Sequence, residues 1–206
     1  MKGNELSNPP TTLTQRCLAR IARWLLRLAS WRVTFSGFPG PKGIVLVYPH
    51  TSNWDFVWGM LARWSIAQPV RFVAKDTLFT GFAGATVGRL LRAWGGRPVV
   101  RSHATGTVQQ LADLMDAEPW FWLAITPEGT RRFRPYWRSG FYHLALARDL
   151  PVAQASIDYG RREVAVDHFL RMTGDVEHDL AAIRSYYAGR QGRHPDKAGT
   201  IAFKRQ

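Results

Sequence analysis

Apolar residues recur at helical spacing from Leu13 to Trp31, and two stripes run along that stretch. Cys17, Leu18, Ile21, Trp24, Leu25 and Leu28 fall on one face, and Arg16, Arg20, Arg23 and Arg27 on another. Trp and Leu set against arginine alone describe a helix that lies in a membrane interface. The alternative is a helix packed on its own domain with solvated arginines. Thr11 or Thr12 supplies its cap. Further on, short buried runs alternate with longer amphipathic ones. Strands are predicted over 32–36, 43–48, 70–74, 98–101, 121–126, 151–157 and 164–169, and helices over 54–67, 81–94, 105–117, 138–148 and 175–190. The cluster Gly37-Phe38-Pro39-Gly40-Pro41 and the pair Gly95-Gly96 punctuate them. This alternation predicts an α/β domain with a partly parallel mixed sheet flanked by helices. The expected division is a disordered N-terminus (1–10), an amphipathic interfacial helix (11–31), one main domain (32–190) and a basic tail (191–206).

The 206 residues suffice for one domain with a full core. Charge changes the picture more than length does. Lys and Arg outnumber Asp and Glu by 28 to 15, a formal net charge of +13. Such a chain seeks anionic partners: nucleic acid, an anionic membrane, or phosphorylated and CoA-like substrates. Nine Trp residues tilt the choice towards lipid, and no nucleic-acid motif is present. Cys17 stands alone, so no internal disulfide is available. No run of about 18 uncharged apolar residues could span a bilayer. Arginine interrupts the one candidate signal segment. No His/Cys cluster has ligand spacing, so no metal is expected.

Two stretches that follow buried strands could carry chemistry. In the first, His50 leaves the strand 43–48 and Asp55 falls in the first turn of the helix 54–67. A histidine oriented by a carboxylate is a general base able to take a proton from a hydroxyl near neutral pH. The same residues also read as a turn histidine and a carboxylate favoured by the helix dipole. The second stretch is Pro127-Glu128-Gly129-Thr130-Arg131. Its glycine permits a sharp turn, and its threonine hydroxyl and arginine guanidinium are natural phosphate ligands. Glu128 could hold a ligand hydroxyl or fix the arginine. Trp54, Phe56, Trp58, Trp120 and Trp122 could line an apolar groove, although their spacing suits core positions equally.

Together these stretches resemble the signatures of the glycerolipid acyltransferases of the lysophosphatidic acid acyltransferase (1-acyl-sn-glycerol-3-phosphate acyltransferase) type. His50 and Asp55 match that family's His, four residues, Asp, and Pro127 to Arg131 match its phosphate-site signature in full. Gly95, Val99 and Arg101 fit the intervening Gly-x-x-Phe-Ile-x-Arg element, with Pro98 where an aromatic is usual. Lys75 and Leu78-Phe79 resemble the Lys-x-x-Leu-Phe-type segment. Pro151 and Val152 fit the last signature, where Gln154 replaces its second proline. The resemblance covers about residues 30–170.

The resemblance implies transfer of an acyl group from acyl-CoA or acyl carrier protein, as co-substrate, to the free hydroxyl of a lysophospholipid. Lysophosphatidic acid is the leading acceptor. His50 would be the base and Asp55 its orienting partner. Lys75, Arg101, Glu128, Gly129, Thr130 and Arg131 would bind substrate. No separate cofactor is implied. Backbone N–H groups at the start of the helix after His50 are candidates for the oxyanion donors. The protein would sit peripherally on the anionic cytoplasmic face of the inner or plasma membrane. The readings held against this are an acyltransferase for another lyso-lipid and a non-enzymatic basic protein that binds membrane or nucleic acid.

Overall fold

The segment Lys42–Val47 (β2) buries Ile44, Val45 and Leu46, so both of its faces are covered. An apolar run without alternation is what a central strand with helices on both sides requires. The computed structural model describes residues 11–81, 84–99 and 104–204. The decapeptide 1–10 and Arg101, both subjects of expectation above, lie outside the described residues. In chain order the other elements are α1 (Leu13–Leu28), β1 (Arg32–Phe35), α2 (Trp54–Ile66), β3 (Val70–Lys75), α3 (Arg89–Ala93), β4 (Gly96–Val99), α4 (Ala104–Ala117), β5 (Phe121–Ile125), α5 (Gly140–Ala147), β6 (Val152–Asp158), β7 (Glu163–Leu170) and α6 (Val176–Tyr187).

The strands form one seven-stranded sheet in the order β1-β7-β6-β2-β5-β3-β4. Neighbours are parallel except β6 and β7, which pair as an antiparallel hairpin. The expected mixed α/β sheet is therefore observed. Side chains alternate across it. Ile44, Leu46, Phe121 and Leu123 meet Leu111, Met115, Phe141, Leu144 and Ile183 of α4, α5 and α6. Val45 and Trp122 turn to the opposite face. On that side Leu26, Trp31 and Ala62, from α1, the turn after it and α2, cover Ile157 and Val164.

Two elements depart from expectation. β4 starts at Gly96 instead of 98, because Gly96 pairs with Phe72 and Val99 with Lys75. Pro98 is tolerated there because β4 is an edge strand. The segment expected to be one helix over 81–94 contains a π turn at Gly84–Gly88 before α3.

The first helix has a third face. Thr12 caps it through a reciprocal pair with Gln15. Ala19, Ala22 and Leu26 are the residues that pack against the domain, beside α2. Two alanines and one leucine make a narrow seam that lets the helices approach closely. The broader apolar stripe stays open, with Ile21 55%, Trp24 62% and Leu28 70% exposed. Of the arginines, Arg23 donates to the carbonyl of Ser65, while Arg20 and Arg27 are exposed. Among the described residues no helix is long and apolar enough to cross a membrane.

Candidate active site

Three neighbouring strands, β6, β2 and β5, end at the same edge of the sheet, and each delivers one polar residue just past its end. These are Tyr159, His50 and Glu128. In α/β sheets this edge is where ligands bind.

His50 and Asp55 meet as the sequence suggested. Nδ1 of His50 lies 3.3 Å from Oδ2 of Asp55, and the side chains are 14% and 1% exposed. The carboxylate is held on every side. Its Oδ2 accepts from the N–H of Thr51 at 2.7 Å and of Ser52 at 2.8 Å. Its Oδ1 accepts from the hydroxyl of Tyr159 at 2.8 Å. Burial alone would raise the Asp55 pKa, but the donors from His50, Ser52 and Tyr159 together bring it below the ordinary carboxylate value. A fixed anion thus faces one ring nitrogen of a histidine that is still reachable from outside. This is the arrangement of a general base with its orienting carboxylate. The N–H groups of Thr51 and Ser52, which precede α2, are committed to Asp55.

Glu128 also has partners other than those expected. It is 2% exposed. Its Oε2 accepts from the N–H of His50 and its Oε1 from the N–H of Gly199, each at 2.7 Å. Each oxygen takes one backbone donor, so Glu128 joins the His50 loop to the C-terminal segment. Burial pushes its pKa up to about 7 despite these two donors, with the Asp55 charge adding to the rise. Gly129 turns the chain with φ +65° and an N–H bond to Thr126. Thr130 is half-buried, and its hydroxyl accepts from the N–H of Arg132. Arg131 is exposed and lines a pocket with Thr51, Ser52 and Trp54. Lys75 is exposed at the end of β3, two strands away from β2 on the same sheet edge. The structure therefore brings His50, Asp55 and Glu128 together, with Arg131 beside them. Lys75 stands further along the edge.

Of the aromatics, Trp122 is fully buried and donates to the carbonyl of Gly40, which makes it core. Trp58 is stacked between Trp31 and Trp54. Trp54 remains 49% exposed at the pocket. Among the described residues no three His, Cys, Asp or Glu side chains gather to hold a metal.

Two parts of the site escaped the sequence reading. One is Tyr159. The other is the stretch 191–203, read as a basic tail, which is bound across the site. The N–H of Tyr159 donates to Gln191, that of His194 to the hydroxyl of Thr51, and that of Trp137 to Ala202. The hydroxyl of Tyr48 donates to the carbonyl of Gly199 at 3.0 Å. The available signal was the pair Gly192 and Gly199 in an otherwise basic segment. A Cβ on Gly192 would stand 2.7 Å from the Thr51 hydroxyl oxygen and 3.1 Å from Pro49, so the strap can lie there only without a side chain.

The acyltransferase family model matches residues 32–157, from β1 through most of β6. No curated protein matches the sequence significantly. Among solved structures, the chain is similar to the 1-acyl-sn-glycerophosphate (LPA) acyltransferase PlsC from Thermotoga maritima. The TM-score is 0.52 at 16% identity, over 86% of this chain and 81% of that one.

Proposed function

The chain belongs to the acyltransferase family, and from that premise we propose that it moves a fatty acyl group from a thioester to the free hydroxyl of a lysophospholipid, with lysophosphatidic acid as acceptor and phosphatidic acid as product. The observation that carries the reading is the His50–Asp55 pair at the end of β2, 3.3 Å apart and opening beside an arginine-lined pocket. Nε2 of His50 takes the acceptor's hydroxyl proton. Asp55 holds the tautomer that leaves Nε2 free and stabilises the imidazolium. The acceptor oxygen forms the new ester bond as the carbon–sulfur bond of acyl-CoA or acyl carrier protein breaks. The proton on His50 then leaves with the thiol. Arg131, with Lys75 and Arg101, offers charge to the acceptor phosphate, and Thr130 a hydroxyl. Glu128 positions the His50 loop. A lipid acceptor calls for a membrane. Support for that part is the open apolar stripe of α1 flanked by Arg20 and Arg27, which suits peripheral attachment to the anionic cytoplasmic leaflet.

The test is thiol release from a long-chain acyl-CoA by the purified chain, with and without lysophosphatidic acid, beside His50→Ala. Acceptor-dependent release that the substitution abolishes is expected. Release only with other lyso-lipids would overturn the acceptor. No release from folded protein with acyl-CoA or acyl carrier protein would overturn the enzymatic reading.

A further inference from the structure

The pocket next to His50 has a volume of about 430 Å³, and its cations come from two distant parts of the chain. Arg131 follows β5, whereas Arg193 and Lys197 belong to the strap. Some arginines elsewhere have carboxylate partners: Arg71 and Arg97 share Glu118, Arg148 takes Asp116, and Arg171 takes Asp149. Among the described residues no carboxylate pairs with Arg131, Arg193 or Lys197, and none lines the pocket. Three like charges around one cavity repel one another, and an anion bound between them relieves that repulsion.

Their placement is not a loose tail's accident. The strap is pinned on both sides of these residues, at Gly192 against Thr51 and Pro49, and at Gly199 by Glu128 and Tyr48. His194 is fastened to the Thr51 hydroxyl, one residue from the base. Arg193 is set over the Trp54 ring, 5.8 Å from its centroid, which holds the guanidinium at the rim. Ser52, Asn53 and Trp54, at the start of α2, complete the wall.

We propose that Arg193 and Lys197, which the strap adds to this pocket beside Arg131, are further specificity-determining residues for a phosphate monoester carried by a substrate. The two strap cations join Arg131 to surround a dianion with more charge than one arginine could supply. The pocket's assignment to a substrate rests on the acyl-transfer reading; its preference for a phosphate monoester does not. Two substrates of that reaction carry such a group: the acceptor, as its head group, and coenzyme A, as its ribose phosphate.

The experiment uses the full chain, Arg193→Gln, Lys197→Gln and the double variant, each shown by melting to be folded. Calorimetry with glycerol 3-phosphate, which needs no turnover, reads the subsite directly. Each single substitution is expected to weaken binding about tenfold, the size of one charge-assisted hydrogen bond. The Arg193→Lys, Lys197→Arg exchange, which keeps the charge, should restore most of it. Turnover then assigns the source. A KM for lysophosphatidic acid raised about tenfold at nearly constant kcat, with monoacylglycerol turnover unmoved, assigns the acceptor. A raised KM for acyl-CoA, absent with the dephosphorylated thioester, assigns the donor. Strap-dependent glycerol 3-phosphate binding in a protein that turns nothing over would keep the subsite and overturn the acyltransferase reading. Unchanged binding and unchanged KM values in a folded double variant would overturn the subsite and leave that reading standing.

Discussion

Replacing Asp55 by asparagine separates what its charge does from what its shape does. The two oxygens face different partners. Oδ2 faces three groups that need an acceptor, the N–H of Thr51, the N–H of Ser52 and Nδ1 of His50. Oδ1 faces only the hydroxyl of Tyr159, which can accept as readily as donate. An asparagine placed with its carbonyl at Oδ2 and its amide at Oδ1 satisfies all four. The variant therefore folds and keeps the histidine tautomer. Losing the charge from these bonds costs about 2 kcal/mol, or roughly 4–8 °C of melting temperature for a chain of this size. Catalysis loses more. At 3.3 Å and an effective dielectric of about 20, carboxylate and imidazolium attract by about 5 kcal/mol. A neutral hydrogen bond returns about 1 kcal/mol, so about 4 kcal/mol is missing once His50 has taken the proton, near a 10³-fold fall in kcat/KM. The assay is acceptor-dependent thiol release beside a thermal melt. A loss under tenfold would refute the role given to the charge. A melting temperature lower by more than about 15 °C would refute the claim that asparagine fits.

Two further substitutions probe the supports. Glu128 should make the protein lose stability as pH rises. Its carboxyl holds a proton up to about 7 when folded but only to the ordinary 4.5 when unfolded, so between those values the folded state binds more protons. Stability therefore falls by about 3 kcal/mol across that window. Glu128→Gln removes this dependence, so its melting temperature should drop less between pH 5 and 8 than that of the parent; parallel slopes would contradict the burial argument. Tyr159→Phe leaves Oδ1 of Asp55 without its donor, at a cost of about 1.5–3 kcal/mol. The stability that Asp55 gives is present above its unfolded value of 3.8 and lost as pH falls through a lower folded one. Losing a donor raises the folded value, so acid unfolding should begin at higher pH than in the parent, and an unmoved acid limb would rule out the hydrogen bond as a support.

What the sequence disclosed follows the range of the interactions. His50 and Asp55 are five positions apart across a strand–helix junction, so local pattern placed them together. The turn at Gly129 was equally local. The backbone partners of Glu128 were not legible, because both lie far along the chain, at His50 and at Gly199. Tyr159 could be connected with Asp55 only by knowing that β6 lies next to β2, and pairing order is not written in periodicity. The strap is polar, basic and aperiodic, so it looked like a tail. Its order comes from backbone groups meeting Thr51, Tyr48 and Glu128. In α1 the two stripes were read correctly, yet the packing seam of Ala19, Ala22 and Leu26 was missed, since alanine contributes little to an apolar face.

The strap also fixes an order of assembly. α1 and α2 are close in the chain and can pack as soon as both exist. The sheet cannot, because β2 waits for β5 and β6 and β1 for β7. The His50 loop waits longer still: Thr51, Tyr48 and Glu128 take partners 143, 151 and 71 residues downstream. During synthesis the helix with the open apolar stripe is therefore ready first and the His50 site last, so a half-made chain displays that stripe well before its site is assembled.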